Sequence, residues 1–430
     1  MTILEKISQV RSLSRAINAA KKILTERGEA NSASMANDIF SQYRLLNEEQ
    51  RLSFYHALAT KFNPDPETVL KVAQDYVKDP SGKNLIHLTK VTESPRQELL
   101  RRINRVDGGT KEIVAMRRHL IKVIDKQPEL KPLDFDLHHL FVSWFNPGFL
   151  KMHRVDWRSP AHILEKIIQH EAVHEIDGWD DLRRRLQPDR RCFAFFHPQL
   201  PDEPLIFVEV ALVPEISSAI GPLVNKKSET VDSSQFKAAI FYSISNCEPG
   251  LKGVSLGNFL IKRVATYLKA EFPSLKTFVT LSPIPGFMDW VIAGAPLGGT
   301  VPDASSAFNK VNTYLDVINL KKQSWPEKLS SGWHPETASE EEKKALSGLC
   351  AIYLAKFSVK KGGNPVAKFH LGNGAQLYRI NWAADLSKKG LRQSAGFMVN
   401  YLYDLDKIED NHERFVNGEV IYSRLVSKML

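Results

Sequence analysis

The hydrophobic period changes about a third of the way along this 430-residue chain, and that change limits what it can fold into. In the first part apolar residues recur at helical spacing: Ile113, Met116, Leu120 and Ile124 form one stripe, with Arg117, Arg118 and Lys122 off it. Ser94-Pro95-Arg96-Gln97 has the order of a helix start, with a side-chain acceptor, a proline at the first helical position and a Gln able to reach back. It predicts a helix running toward Val106 and ended by Asp107-Gly108-Gly109. Pro64-Asp65-Pro66 and Asp79-Pro80-Ser81-Gly82 predict further breaks. Residues 1–24 carry Lys6, Arg11, Arg15, Lys21 and Lys22 among apolar residues, but Glu5 and the lack of a cleavage pattern favour an ordinary first helix over a transit peptide.

Beyond 127–136, where Pro128 and Pro132 make the best boundary, the period shortens. Residues 191–196, 205–213, 238–245 and 277–281 are short β-branched or aromatic runs bounded by Pro, Gly or Asn, and they predict strands. Helical patterns lie at 161–173, 258–271 and 340–356. A chain of 430 residues exceeds one core, so two domains are expected: 1–135, all helical, and 136–430, of α/β or α+β class. A helical array without polar constellations points to assembly rather than catalysis.

Composition narrows the partners. Hydrophobic residues at 43% and charged residues at 25% describe a soluble globular protein, and no apolar run is long enough to cross a bilayer. The net charge of +9 is spread along the chain with acidic residues between, and no aromatic-basic RNA signature is present, so neither nucleic acid nor membrane is expected as a partner. Cys192, Cys247 and Cys350 are odd in number and scattered, which predicts a reducing compartment. The final Lys428-Met429-Leu430 is not the peroxisomal Ser-Lys-Leu address, so the expected location is the cytoplasm.

Four segments could carry chemistry. In Leu281-Ser282-Pro283-Ile284-Pro285-Gly286-Phe287 two prolines predict that the strand stops near Ser282, leaving a hydroxyl at a strand end, where α/β active sites gather. Gly286 would let the backbone approach a ligand closely. In Phe369-His370-Leu371-Gly372-Asn373-Gly374-Ala375 a turn signal lies between 366–371 and 376–380, which predicts a hairpin holding His370 on a rigid edge. The stretch Gly250-Leu251-Lys252-Gly253-Val254-Ser255-Leu256-Gly257-Asn258 follows a predicted strand and opens a predicted helix whose Leu260, Ile261, Val264 and Leu268 share a face, a setting suited to a pyrophosphate. His170-Glu171-Ala172-Val173-His174 spells H-E-x-x-H on a predicted helix, the zincin pattern. Its metzincin continuation fails at Asp177 and Asp181, and a structural helix with hydrogen-bonded histidines is preferred, with no metal expected.

Taken together, the serine, histidine and glycine-loop segments resemble the malonyl-CoA decarboxylase family, most strongly from about Trp144 onward. The loop also resembles the acyl-CoA loop of GCN5-related acetyltransferases, with Lys252, Gly253 and Gly257 on its pattern and Ser255 at the middle glycine position. Some decarboxylases carry Glu at that place, so no role of that Glu transfers to this chain. The resemblance implies an acetyltransferase-like mixed-sheet domain with helical insertions, malonyl-CoA as substrate, acetyl-CoA as product, no cofactor, and a homo-oligomer, dimer or tetramer. It implies Ser282 and His370 as the catalytic pair and residues Lys252, Gly253, Val254, Ser255, Leu256, Gly257, Asn258, Asn373 and Tyr401 around the substrate. Tyr378 and Asn381 also sit in family-like segments. An acyl-CoA-dependent N-acyltransferase, a CoA thioesterase using Ser282, and a non-enzymatic CoA-binding regulator stay as alternatives, although no Gly-x-Ser-x-Gly elbow surrounds Ser282.

Overall fold

The computed structural model describes residues 3–25, 31–257, 260–297, 304–320, 322–357 and 362–430. Asn258 lies outside the described residues. The chain divides into two compact units: Met1–Lys151 with Phe196–Glu203 and Glu248–Leu256, and Met152–Phe195 with Pro204–Cys247 and Gly257–Leu430.

The first unit is helical. Its helices begin where polar side chains satisfy free backbone donors: Asn47 accepts from Gln50 N–H while Gln50 reaches back, Asp65 accepts from Thr68 N–H, and Ser81 from Asn84 N–H. The stripe Ile113, Met116 and Leu120 is buried on helix Gly109–Val123, as its period predicts. Two local expectations fail. Ser94 precedes helix Pro95–Asn104 but makes no cap: its hydroxyl donates to Asp136, and the Gln97 amide donates to the other oxygen of the same carboxylate. Asp136 is buried, and Arg96 beside it completes the set. That helix stops at Asn104, and Gly109, expected as part of its end, opens the next one. The expected division at 135/136 falls inside helix Lys131–Trp144, whose buried Leu133, Leu137, Leu140 and Phe141 join it to the helical core, so this unit runs on to Lys151.

The second unit is built on a mixed sheet. Its strands are β1 Lys151–Val155, β2 Arg190–His197, β3 Leu200–Val213, β4 Ala238–Asn246, β5 Thr277–Thr280, β6 Ser282–Pro283, β7 Gln376–Asn381 and β8 Met398–Leu402. The order is β1-β2-β3-β4-β5-β8-β6, with β7 also on β8. β3 and β4 are antiparallel, with a register shift between Glu209 and Val210, and β4 and β5 are parallel. Parallel strands need a crossover, supplied here by helix Leu260–Glu271 with Leu260, Ile261, Val264 and Leu268 buried. The continuous apolar runs of β2 and β3 follow from burial on both faces of the sheet.

The zincin helix does not form. Helix Ala161–His170 ends at its first histidine, and Glu171 is extended. The Glu171 carboxylate instead accepts from Ser243 and from the N–H groups of Val173 and His174. The two histidines therefore share no helical face, and among the described residues no group of three or more His, Cys, Asp or Glu is placed to hold a metal ion. Likewise, among the described residues no helix is long and apolar enough to cross a membrane.

Candidate active site

The strand carrying Ser282 stops at Pro283, one residue beyond it, as its prolines predict. Val279 pairs with Leu402, Ser282 with Val399 and Pro283 with Met398, so β5 and β6 run along β8 in a single register. Pro283 can occupy the last paired position because a strand's final residue need not donate. At Thr280 the ladder is modified: its carbonyl accepts from the Asn400 amide and its hydroxyl from Tyr401 N–H. Alternation along paired strands puts Thr280, Ser282, Tyr401 and Tyr403 on one face. Burial removes all of these side chains from water.

His370 reaches that face from a helix, not from the expected hairpin. Asn364 caps helix Pro365–Gly372 by accepting from Ala367 N–H at 2.8 Å, with proline at the first helical position. His370 lies in its last turn, and only after the turn at Asn373 and Gly374 does β7 begin. Asn373 ends the helix, donating from its side chain to the Phe369 carbonyl at 2.6 Å.

The structure brings Ser282 and His370 together, with Oγ and Nε2 3.0 Å apart. His370 Nδ1 lies 2.9 Å from the Tyr403 hydroxyl, and Ser282 Oγ lies 2.9 Å from Thr280 Oγ1. Tyr401 stacks on the imidazole, ring centroids 4.7 Å apart and planes 26° apart, while its own hydroxyl is buried without a hydrogen-bond partner. Burial drives the His370 pKa down to about 3 and pushes both tyrosines well above their ordinary value. At neutral pH the imidazole is thus neutral and carries one N–H. Because the Ser282 hydroxyl donates to Thr280, it accepts from Nε2–H, and Tyr403 then donates to Nδ1, which satisfies every group in the line.

Thr280 and Tyr403 were not among the residues singled out from the sequence. The signal was present, since Thr280 stands two residues before Ser282 and Tyr403 two after Tyr401. Asn381 donates to Asn400 at 2.8 Å, and Asn400 in turn donates to the Thr280 carbonyl, whereas the Tyr378 carbonyl accepts from Ser423 at 2.5 Å, away from the line.

The glycine-bearing loop is held by specific bonds. Within the first unit Arg117, which lies off the apolar stripe, is nonetheless buried: it donates to the carbonyls of Gly250 and Lys252, each at 2.9 Å, and pairs with Asp134 at 2.8 Å. Glu248 accepts from Gly250 N–H at 2.8 Å and pairs with Arg118. His138 Nε2 donates to the Gly253 carbonyl at 3.1 Å. Lys252, Gly253 and Ser255 are left exposed, Val254 is half-buried, and Leu256 is buried. Gly257 belongs with the second unit, where a Cβ on it would meet Phe369 Cε2 at 2.3 Å, so only glycine allows this approach to the residue beside His370. Gly286 has φ +76 and opens helix Phe287–Ile292.

Comparison with known proteins identifies the family. A family description of the malonyl-CoA decarboxylase C-terminal domain matches residues 148–430, and one of the N-terminal domain matches residues 62–145. The chain belongs to the malonyl-CoA decarboxylase family. Mitochondrial malonyl-CoA decarboxylase of Mus musculus is 40% identical over 340 residues, which is 75% of this chain and 68% of that protein. The crystal structure of malonyl-CoA decarboxylase from Rhodopseudomonas palustris superposes with a TM-score of 0.83 at 42% identity, covering 97% of this chain and 99% of that one. That from Agrobacterium vitis gives 0.83 at 41% identity, covering 96% and 99%. The family's two domain descriptions meet between 145 and 148, close to the end of the first helical stretch at Lys151.

Proposed function

We propose that this chain catalyses decarboxylation of malonyl-CoA to acetyl-CoA and carbon dioxide through an enolate, with Ser282 and His370 as the working pair and no cofactor. The observation that carries the reading is the buried 3.0 Å hydrogen bond between them, placed in a chain of this family. Malonyl-CoA brings its own electron sink. When the bond to the carboxylate breaks, its electron pair moves onto the neighbouring carbon and into the thioester carbonyl, and carbon dioxide leaves. The protein must turn the carboxylate out of conjugation, stabilise the enolate oxygen and deliver one proton to carbon. His370 is neutral in the free protein, and the incoming malonyl carboxylate offsets its desolvation, so the imidazole takes up a proton as substrate binds. It then gives that proton to the enolate carbon, Ser282 holding the carboxylate or passing the proton and Tyr403 keeping the ring oriented.

The loop at 252–256 is proposed to hold the CoA diphosphate, Lys252 supplying charge and the backbone supplying donors. The helical unit is proposed to self-associate. Helices Pro66–Lys78 and Gly82–Thr92 bury only Val72 and leave Leu70, Val77, Leu85 and Ile86 between 47% and 81% exposed, an apolar surface suited to a second copy. Sedimentation equilibrium would show a dimer or tetramer, and a monomer at all concentrations would end that part. A cytoplasmic location is the reading we adopt, tested by cell fractionation.

The chemistry is tested by running the reaction in D2O. Equal amounts of carbon dioxide and acetyl-CoA, with one deuterium in the new methyl group, are expected. Free CoA with malonate would show a thioesterase instead.

A further inference from the structure

The hydrogen bond between Ser282 and His370 joins a sheet strand to a helix 88 residues away in the chain, so something must fix the distance between those two elements. Ser282 is fixed to the sheet through its pairing with Val399. The helix of His370 is fixed at its carboxyl end, where the Gly372 carbonyl meets His412 Nδ1 at 2.6 Å and Gly374 packs on the backbone of Ile408. Its amino end begins at Asn364, which is buried.

That side chain makes two bonds at once. Its Oδ1 accepts from Ala367 N–H at 2.8 Å, capping the helix, and its Nδ2 donates to the carbonyl of Pro285 at 2.7 Å. Ala367 is three residues before His370, and Pro285 three residues after Ser282. We infer that Asn364 is a positioning residue for the decarboxylation, a single amide that bolts the histidine helix to the serine turn and sets the reach between the two working groups. The inference rests on the proposed role of that pair. Tyr353 supports the same point, its hydroxyl donating to the Pro285 carbonyl at 3.2 Å.

Capping alone would make Asn364 merely structural, so the variants must separate its two bonds. Asn364→Ser keeps an oxygen that caps a helix but is too short to reach Pro285. Asn364→Asp keeps the cap and adds a pH signature: the carboxyl can donate to the Pro285 carbonyl only while protonated, and its ionised form repels that oxygen. For the Ser variant we expect kcat for acetyl-CoA formation to fall about 10–100-fold, because misplacing reacting groups by an ångström costs about that much, with KM changed less than about threefold. For the Asp variant the loss should shrink as pH falls, in a step absent from the wild type. A crystal structure of the Ser variant should show Ser282 Oγ and His370 Nε2 separated beyond hydrogen-bond distance. Tyr353→Phe removes the second bond to Pro285 and the phenol's contact with the Asn364 side chain while leaving the Ala367 cap, and a smaller fall in kcat is expected from it should the Ser variant not fold.

His370→Asn and Ser282→Ala are assayed in parallel. If they are inactive while Asn364→Ser and Tyr353→Phe are folded and turn over like the wild type, the pair stands and the bolt is refuted. If they are themselves fully active, the pair is refuted first. A loss in Asn364→Ser that tracks only the fraction of folded protein, with normal turnover per folded molecule, also overturns the inference.

Discussion

Tyr403→Phe tests how much of the imidazole's behaviour comes from the group behind it. The phenol lies 2.9 Å from His370 Nδ1, and both side chains are buried. Removing the hydroxyl leaves Nδ1 desolvated with no partner nearby, while the ring keeps its contact with Ser282 and its stack on Tyr401. A buried polar atom stranded in this way costs about 1–3 kcal/mol. At roughly 2 °C per kcal/mol for a unit of this size, the melting temperature should drop by about 2–6 °C. The same energy lost from the oriented transition state lowers kcat by about 5–150-fold. Differential scanning calorimetry and mass-detected turnover of malonyl-CoA read the two effects separately. Tyr401→Phe is the control within the same site: its hydroxyl has no hydrogen-bond partner, so removing it should leave the melting temperature unchanged or raise it. Tyr403→Phe with kcat within about twofold of wild type and an unchanged melting temperature would refute the reasoning, since neither orientation nor satisfaction of Nδ1 would then depend on the phenol.

Acid stability follows from two histidines, His370 and His174, each lowered to about 3, mainly by burial. A histidine neutral in the folded protein and titrating near 6.5 when unfolded stabilises the fold fully above that value. The contribution is lost as pH falls from about 6.5 toward 3, at up to about 1.4 kcal/mol per pH unit for each group. Urea titrations should show the midpoint falling over that window and falling less in His370→Asn, and an identical slope in that variant would contradict the assignment. Gly257→Ala drives a methyl into Phe369 beside His370, so kcat should drop by about tenfold or more, and wild-type turnover in a crystal-verified variant would contradict the packing argument. Lys252→Ala should raise KM for malonyl-CoA about three- to tenfold with kcat kept, and an unchanged KM in low salt would remove the lysine from the proposed diphosphate site.

Much of this architecture is legible where the determinants are local. The strands at 191–196, 205–213 and 238–245 show because β-branched and aromatic runs suit a sheet covered on both faces, and Ser282 and His370 show through their motifs. What stays hidden depends either on a short segment whose period is ambiguous or on partners far along the chain. Residues 366–371 are too few for periodicity to tell helix from strand, and the decision rests on Asn364 capping at Ala367. Glu171 leaves the H-E-x-x-H helix because Ser243, 72 residues later, offers its carboxylate a buried partner. Ser94 gives up its cap for Asp136, and Arg117, off the apolar stripe, is drawn into burial by the carbonyls of Gly250 and Lys252. For Glu171, Ser94 and Arg117 a buried partner far along the chain takes the polar side chain, because an unsatisfied buried group costs more than a frayed end.

The central claim is that the buried pair does the chemistry, and the most direct measurement is turnover of malonyl-CoA by His370→Asn and Ser282→Ala beside the wild type, with acetyl-CoA binding measured on the same preparations. The account predicts acetyl-CoA and carbon dioxide in equal amounts from the wild type, and kcat reduced by at least about 100-fold in each variant with binding retained. Near-normal kcat in either folded variant would contradict it.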